Sequence, residues 1–147
     1  MTAVVVGIGQ LAAGDDGVGL VVAQALAARG FETRESADAS VVLALLEAER
    51  RVVLVDAVVD GGAPGTVIRL AAGDLASGPT PLSSHGLGVA EALELAHTLY
   101  GTPIAARVEI VGVAIARPTG TAIGLSPAVA AAVEPAAALA ASLAGRS

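Results

Sequence analysis

The chain of 147 residues has no cysteine, lysine, asparagine or tryptophan, and only one phenylalanine and one tyrosine. Without cysteine there is no thiol nucleophile, no disulfide and no thiolate-held zinc or iron–sulfur centre. Any metal must be held by oxygen and imidazole. With 1% aromatic residues, the 54% hydrophobic content must form a core from Ala, Val, Leu and Ile. The basic residues are all arginine, 8 against 14 acids, for a net charge of −6. No basic stripe exists to neutralise phosphates, which excludes a nucleic-acid partner, and the same balance disfavours an anionic membrane surface. The N-terminus lacks the charged-then-apolar pattern of a signal peptide. The most apolar tract, Ala128 to Ala144, is mostly alanine and is interrupted by Glu134 and Pro135. It is expected to be too broken for a membrane span. The expectation is one soluble, cytoplasmic, monomeric domain over residues 1–147.

Short apolar runs alternate with helical patterns. "TAVVVGIG" and "RVVLVDAV" read as buried strands, "GTVIRL" as an edge-like strand and "ARVEIVGVAI" as another strand. "FETRES" reads as a short polar-alternating strand. "DGVGLVVAQALAARG" has acid at its start and Arg-Gly at its end, which marks a helix. "ASVVLALLEAE" and "HGLGVAEALELAHTLYG" read as two more. "LSPAVAAAVEPAAALAASLAG" is a terminal helix with Ser126 as N-cap and Pro127 in its first turn, and Pro135 predicts a kink or break. The alternation implies an α/β three-layer sandwich, a twisted, mostly parallel sheet with helices on both faces. In such sheets ligands bind beyond the carboxyl ends of the strands.

Three acids and a histidine fall in that zone. Asp56 interrupts an apolar strand where the strand should leave the core. It reads either as a turn residue at the strand end or as a ligand or catalytic carboxylate. Asp15 and Asp16 follow the first strand in "GIGQLAAGDDGVGL". One acid is expected to cap the helix, but two are more than a cap requires. The second can face a cleft if a cation lies between the carboxylates. Gly17 and Gly19 weaken the first helical turn, which suits something packed closely against it. His85 in "PLSSHGLG" reads as the first residue of a helix capped by Ser83 or Ser84, or as a ligand. His97, mid-helix, reads as a surface residue. Asp16, Asp56 and His85 together make an O,O,N set suited to a divalent metal such as nickel or zinc.

The ordered motifs "GIGQLAAGDDGVG", "VDAV…GGAPGTV", "SSHGLG" and "GLSPAV" resemble the hydrogenase maturation proteases, over Val4 to about Val133. The resemblance implies an endopeptidase that removes the C-terminal extension of a nickel–iron hydrogenase large-subunit precursor after nickel insertion. It also implies that Asp16, Asp56 and His85 bind metal. The nickel is supplied by the precursor and no permanent metal is expected. Zinc or cadmium suits the same donors.

Two positions depart from the family pattern. Gln10 stands where the family usually has Asn. "ESADASVV" replaces a glycine–threonine segment regarded as substrate-facing, with Asp38 near an acid often found there. Asp38 is therefore a further candidate catalytic residue. Two rivals remain. One is a non-catalytic homologue that binds or senses a metallated partner. The other is a dinucleotide-binding module, in which Gly7, Gly9 and Ala12 form the phosphate loop and Glu32 or Glu35 contacts a ribose. Adjacent Asp15 and Asp16 would repel a pyrophosphate.

Overall fold

The computed structural model describes residues 3–59, 61–71, 82–83, 89–100, 107–116 and 124–145. Strand β1 (Val4–Ile8) leads into a 3-10 turn (Leu11–Gly17) and helix α1 (Val18–Ala28). Then come β2 (Thr33–Ser36), α2 (Val41–Glu47), β3 (Val52–Val59), β4 (Val67–Ala71) and β5 (Leu82–Ser83). Helix α3 (Val89–Tyr100), β6 (Val108–Ile115) and α4 (Pro127–Ala144) complete the order.

The sheet runs β2-β1-β3-β6-β4. The pairs β1–β2, β1–β3 and β3–β6 are parallel, and β4 closes one edge antiparallel to β6. The central strands are apolar on both sides, as burial of both faces demands: every residue of β1 and β3 is buried. β2 is polar and partly exposed, which suits its edge position.

Each face carries its own core. Val5, Val53, Val55 and Val113 meet Val18, Val22 and Leu26 of α1 and Val129, Ala136 and Leu143 of α4. The opposite residues, Val4, Val6, Val52, Leu54 and Ile110, meet Val42 and Leu46 of α2 and Ala92, Leu93 and Ala96 of α3. This is the expected three-layer α/β sandwich. Few aromatics are needed, because the helices sit close to the sheet. A Cβ on Gly7 would collide with the Gly19 carbonyl and lie 2.8 Å from Ala23 Cβ. One on Gly19 would collide with the Val55 carbonyl and lie 2.5 Å from that of Ile8. The first turn of α1 thus rests directly on β1 and β3.

Helix α4 departs from its sequence reading. Pro135 lies inside a continuous helix of 18 residues. Its ring is on the exposed side, and the buried residues Ala132 and Ala136 flank it, so packing holds both halves in line. By length and composition α4 is also long and apolar enough to cross a membrane, contrary to the reading of Ala128 to Ala144 as too interrupted. Here its stripe Val129, Ala132, Ala136, Ala140 and Leu143 is buried against the sheet. Its last carbonyls are also satisfied: Ala144 O accepts the Ala3 N–H (3.1 Å) and Leu143 O accepts Arg51 Nη2 (3.0 Å).

Candidate active site

Asp56 is the one buried polar or charged residue among the described residues, at 1% exposure. Val52 and Leu54 belong to the α2/α3 core, and strand alternation carries Asp56 onto that same face. It stands level with Gly112 of β6. Val55 pairs with Gly7, which puts Ile8, the last residue of β1, one rung on and beside Asp56. Asp56 Oδ1 accepts the Ala57 N–H at 2.8 Å. The reading of Asp56 as a strand-end turn residue is corrected here. β3 continues to Val59 because β6 pairs with it through Ile115 and β5 takes over the edge that β1 vacates. A buried carboxylate inside an apolar strand costs several kcal/mol unless partners compensate it.

Asp15 and Asp16 do not begin α1. They lie in the 3-10 turn, and the N-cap position of α1 is Gly17, with no side-chain cap. The turn is pressed onto the strand ends. Gly9 is followed closely by it: a Cβ there would lie 2.5 Å from the Asp16 carbonyl and 3.2 Å from Gly17 Cα. The two acids then diverge. Asp15 Oδ1 accepts the Ser126 N–H (2.7 Å) and Oδ2 accepts the Ser126 hydroxyl (2.8 Å). Asp15 therefore does sit at a helix N-terminus, but that of α4. Ser126 occupies the N-cap position of α4 as expected, yet its side chain makes no capping bond within that helix. The hydroxyl is given to Asp15 instead. Asp16 is half-buried, with Oδ1 shielded from solvent.

Asp38 follows the carboxyl end of β2. Its Oδ1 accepts the Ser40 N–H at 2.8 Å, in the turn that leads into α2. Hydrogen bonds from Ser40, first its side chain and then its backbone N–H, hold the Asp38 carboxyl below the usual aspartate range. The row of strand ends connects these places: Gly9 N–H donates to Ser36 O (2.9 Å), and Ile8 pairs with Ser36.

His85 and Ser84 lie outside the described residues. The strand before them is informative. β5 pairs antiparallel with β3, Leu82 opposite Val59 and Ser83 opposite Val58, so the chain descends towards the level of Asp56. Among the described residues no three His, Cys, Asp or Glu side chains are grouped to hold a metal. His97 is exposed on α3. The dinucleotide reading does not match the geometry: β1 is followed by seven residues of 3-10 turn holding two carboxylates, and α1 starts only at Val18. Glu35 accepts from Gln24 (3.0 Å), and Glu32 pairs with Arg50 (2.6 Å) and Arg34 (3.1 Å). Arg50 is the main cause that lowers the Glu32 carboxyl below its ordinary value.

Comparison with known proteins bears on the family and the fold. A sequence model described as HycI, hydrogenase maturation protease, matches residues 37–143, a span that contains Asp38, Asp56 and His85. The fold is similar to that of the [NiFe] hydrogenase maturation protease HybD from Thermococcus kodakarensis. That match has a TM-score of 0.76 at 25% identity and covers 98% of this chain and 99% of that one. The hydrogenase maturating endopeptidase HybD from E. coli is similar with a TM-score of 0.72 at 26% identity, over 95% of this chain and 89% of that one. No curated protein sequence gives a significant match.

Proposed function

Since the chain belongs to the hydrogenase maturation protease family, a family of hydrolases, we propose that it removes the C-terminal extension of a nickel–iron hydrogenase large-subunit precursor. The precursor's own nickel is the recognition element. Asp16, Asp56 and His85 receive that nickel as ligands. Asp38, at the carboxyl end of β2, faces the precursor. The protein acts as a cytoplasmic monomer on a protein substrate, without a nucleic acid or membrane partner.

One observation carries the reading: Asp56 keeps a carboxylate buried in an otherwise apolar core, at the level where β1 ends and the glycine-packed turn brings Asp16 over the sheet. A carboxylate buried at the end of an α/β sheet is a functional-site signature. Two carboxylates and an imidazole are hard to borderline donors, which suit a divalent nickel or zinc ion. Nickel docked there positions and polarises the scissile region, and a water attacks the peptide carbonyl.

The test is to mix the protein with nickel-loaded and nickel-free precursor and weigh the products by mass spectrometry. Loss of a C-terminal peptide only from the nickel-loaded form is expected. Cleavage of both forms, or full cleavage by a folded Asp56→Ala variant, would sink the nickel-docking reading. Stable binding of the precursor without any product would instead identify a non-catalytic sensor.

A further inference from the structure

The 3-10 turn carries two adjacent acids, and the proposed docking of nickel uses only Asp16. Asp15 makes the one side-chain link between this turn and α4 that the described residues show, across 111 positions of sequence. Both of its oxygens are engaged, by a backbone N–H at 2.7 Å and a hydroxyl at 2.8 Å. Charge-assisted, two-point contacts of this kind fix orientation as well as position. The Asp15 carbonyl accepts the Val18 N–H, which ties the turn to the start of α1. On the other side, the Asp16 carbonyl lies against Gly9. The backbone of Asp16 is therefore gripped from α4, from α1 and from the end of β1.

The far anchor is itself rigid. Ser126 O accepts the Ala130 N–H (2.8 Å), so it belongs to the first turn of α4. A Cβ on Gly65 would lie 2.5 Å from the Ala128 carbonyl, so the turn before β4 backs that helix end closely. Pro127 stiffens the step between them. A 3-10 turn has poorer hydrogen-bond geometry than an α-helix and holds its shape less well alone. An external clamp is what such a turn lacks.

We propose that Asp15 is the positioning residue for Asp16: its bidentate hold on Ser126 at the start of α4 fixes the 3-10 turn and so sets the Asp16 carboxylate. The inference rests on the proposed role of Asp16 for its effect on cleavage, but not for its effect on position. Asp15 is engaged by Ser126 at the start of α4, and Asp16 is the acid that the proposed docking of nickel uses. The pair is thus a division of labour between neighbours.

The experiment compares wild type, Asp15→Ala, Asp15→Asn and Ser126→Ala. Asn can still accept the Ser126 N–H and donate to its hydroxyl, so it conserves the link without the charge. Two readouts are taken. One is the assigned carboxyl carbon signal of Asp16 in protein labelled with 13C-aspartate, with amide hydrogen exchange at Asp16 and Gly17. The other is kcat and KM on nickel-loaded precursor. In Asp15→Ala the Asp16 signal is expected to move towards its unfolded-chain position and exchange to speed up. There kcat falls about 10- to 100-fold, the scale of a misplacement near 1 Å, with KM within about threefold. Asp15→Asn restores both readouts to within about threefold, and Ser126→Ala, which keeps the backbone N–H, falls between. Should Asp15→Ala fail to fold, Ser126→Ala against Asp15→Asn decides alone. An unmoved Asp16 signal in folded Asp15→Ala, or wild-type kcat there, overturns the proposal. A wild type that does not cut, with Asp16 still released in Asp15→Ala, refutes the proposed function and supports the anchor.

Discussion

The two faces of the sheet are built to different ends. Along β3, Val53, Val55, Ala57 and Val59 point towards α1 and α4 and are all apolar. Val52, Leu54, Asp56 and Val58 alternate with them, and this face gives one fully buried position to a carboxylate. On the first face a long Ala-rich helix and a glycine-seated helix lie tight on the strands. On the second, α2 and α3 pack on Val4, Val6, Val52, Leu54 and Ile110. Both faces carry a buried apolar core, and the buried charge lies on the second. Asp15, by contrast, is bound to Ser126 at the start of α4 on the first face.

Substitution at Asp56 breaks the comparison most sharply. Asp56→Val makes the second face as apolar as the first. Precursor cleavage is expected to fall by about 10³-fold or more, while the melting temperature stays level or rises, because a buried charge is replaced by an apolar side chain of similar shape. A mass-spectrometric time course beside a thermal melt checks both, and a large drop in melting temperature would show that Asp56 is structural.

Gly19→Ala attacks the first face. Its new methyl would meet the Ile8 and Val55 carbonyls, which are backbone and cannot swing away. Overpacking of this kind costs about 1–3 kcal/mol, readable as a lower urea midpoint. A midpoint unchanged from wild type would mean that α1 is not seated as described.

Pro135→Ala tests whether the same face has stability in reserve. The ring is exposed and the helix lacks one internal hydrogen bond there. Restoring the donor should add about 1–3 kcal/mol, with cleavage unchanged. A loss of stability would show that the proline shapes α4 against the sheet.

The smallest effect is expected at Asp38. Its carboxyl has a folded-state value below the ordinary 3.8 because of Ser40. A lowered acid stabilises the fold above its unfolded value, and the contribution is lost as pH falls through the folded one. Wild type should therefore melt slightly above Asp38→Ala at pH 7, and the gap should close in acid below pH 3.8. A gap that widens in acid contradicts the Ser40 bond.

Much of this was legible in order. The β-branched runs of β1, β3 and β6 could only be buried strands, and their alternation with helical patterns implied the layered sheet. The family resemblance marks Asp16, Asp56, His85 and Asp38 from the sequence alone. What misled was local reading. One of Asp15 and Asp16 reads as a cap for the helix that follows, because helix starts are read from neighbours, yet neither caps it and Asp15 binds elsewhere. Its partner, Ser126, is 111 residues away, and no spacing rule reaches that far. Asp56 looked like a strand end, because a carboxylate rarely sits mid-strand. β3 extends past it only because β5 and β6 supply ladder partners on both edges. Pro135 looked like a break, and α4 runs through it because the buried residues on either side pack on one sheet.

The sequence by itself determined the elements, their alternation and the identity of the acids, since these follow from residue type and short-range periodicity. Only the tertiary structure decided that Asp15 is bound to Ser126 at the start of α4 rather than to the helix that follows it. It also decided that Asp56 is buried within β3 rather than exposed beyond it. Both outcomes depend on contacts between segments far apart in the chain, and hydrogen-bond partners and burial exist only once those segments meet.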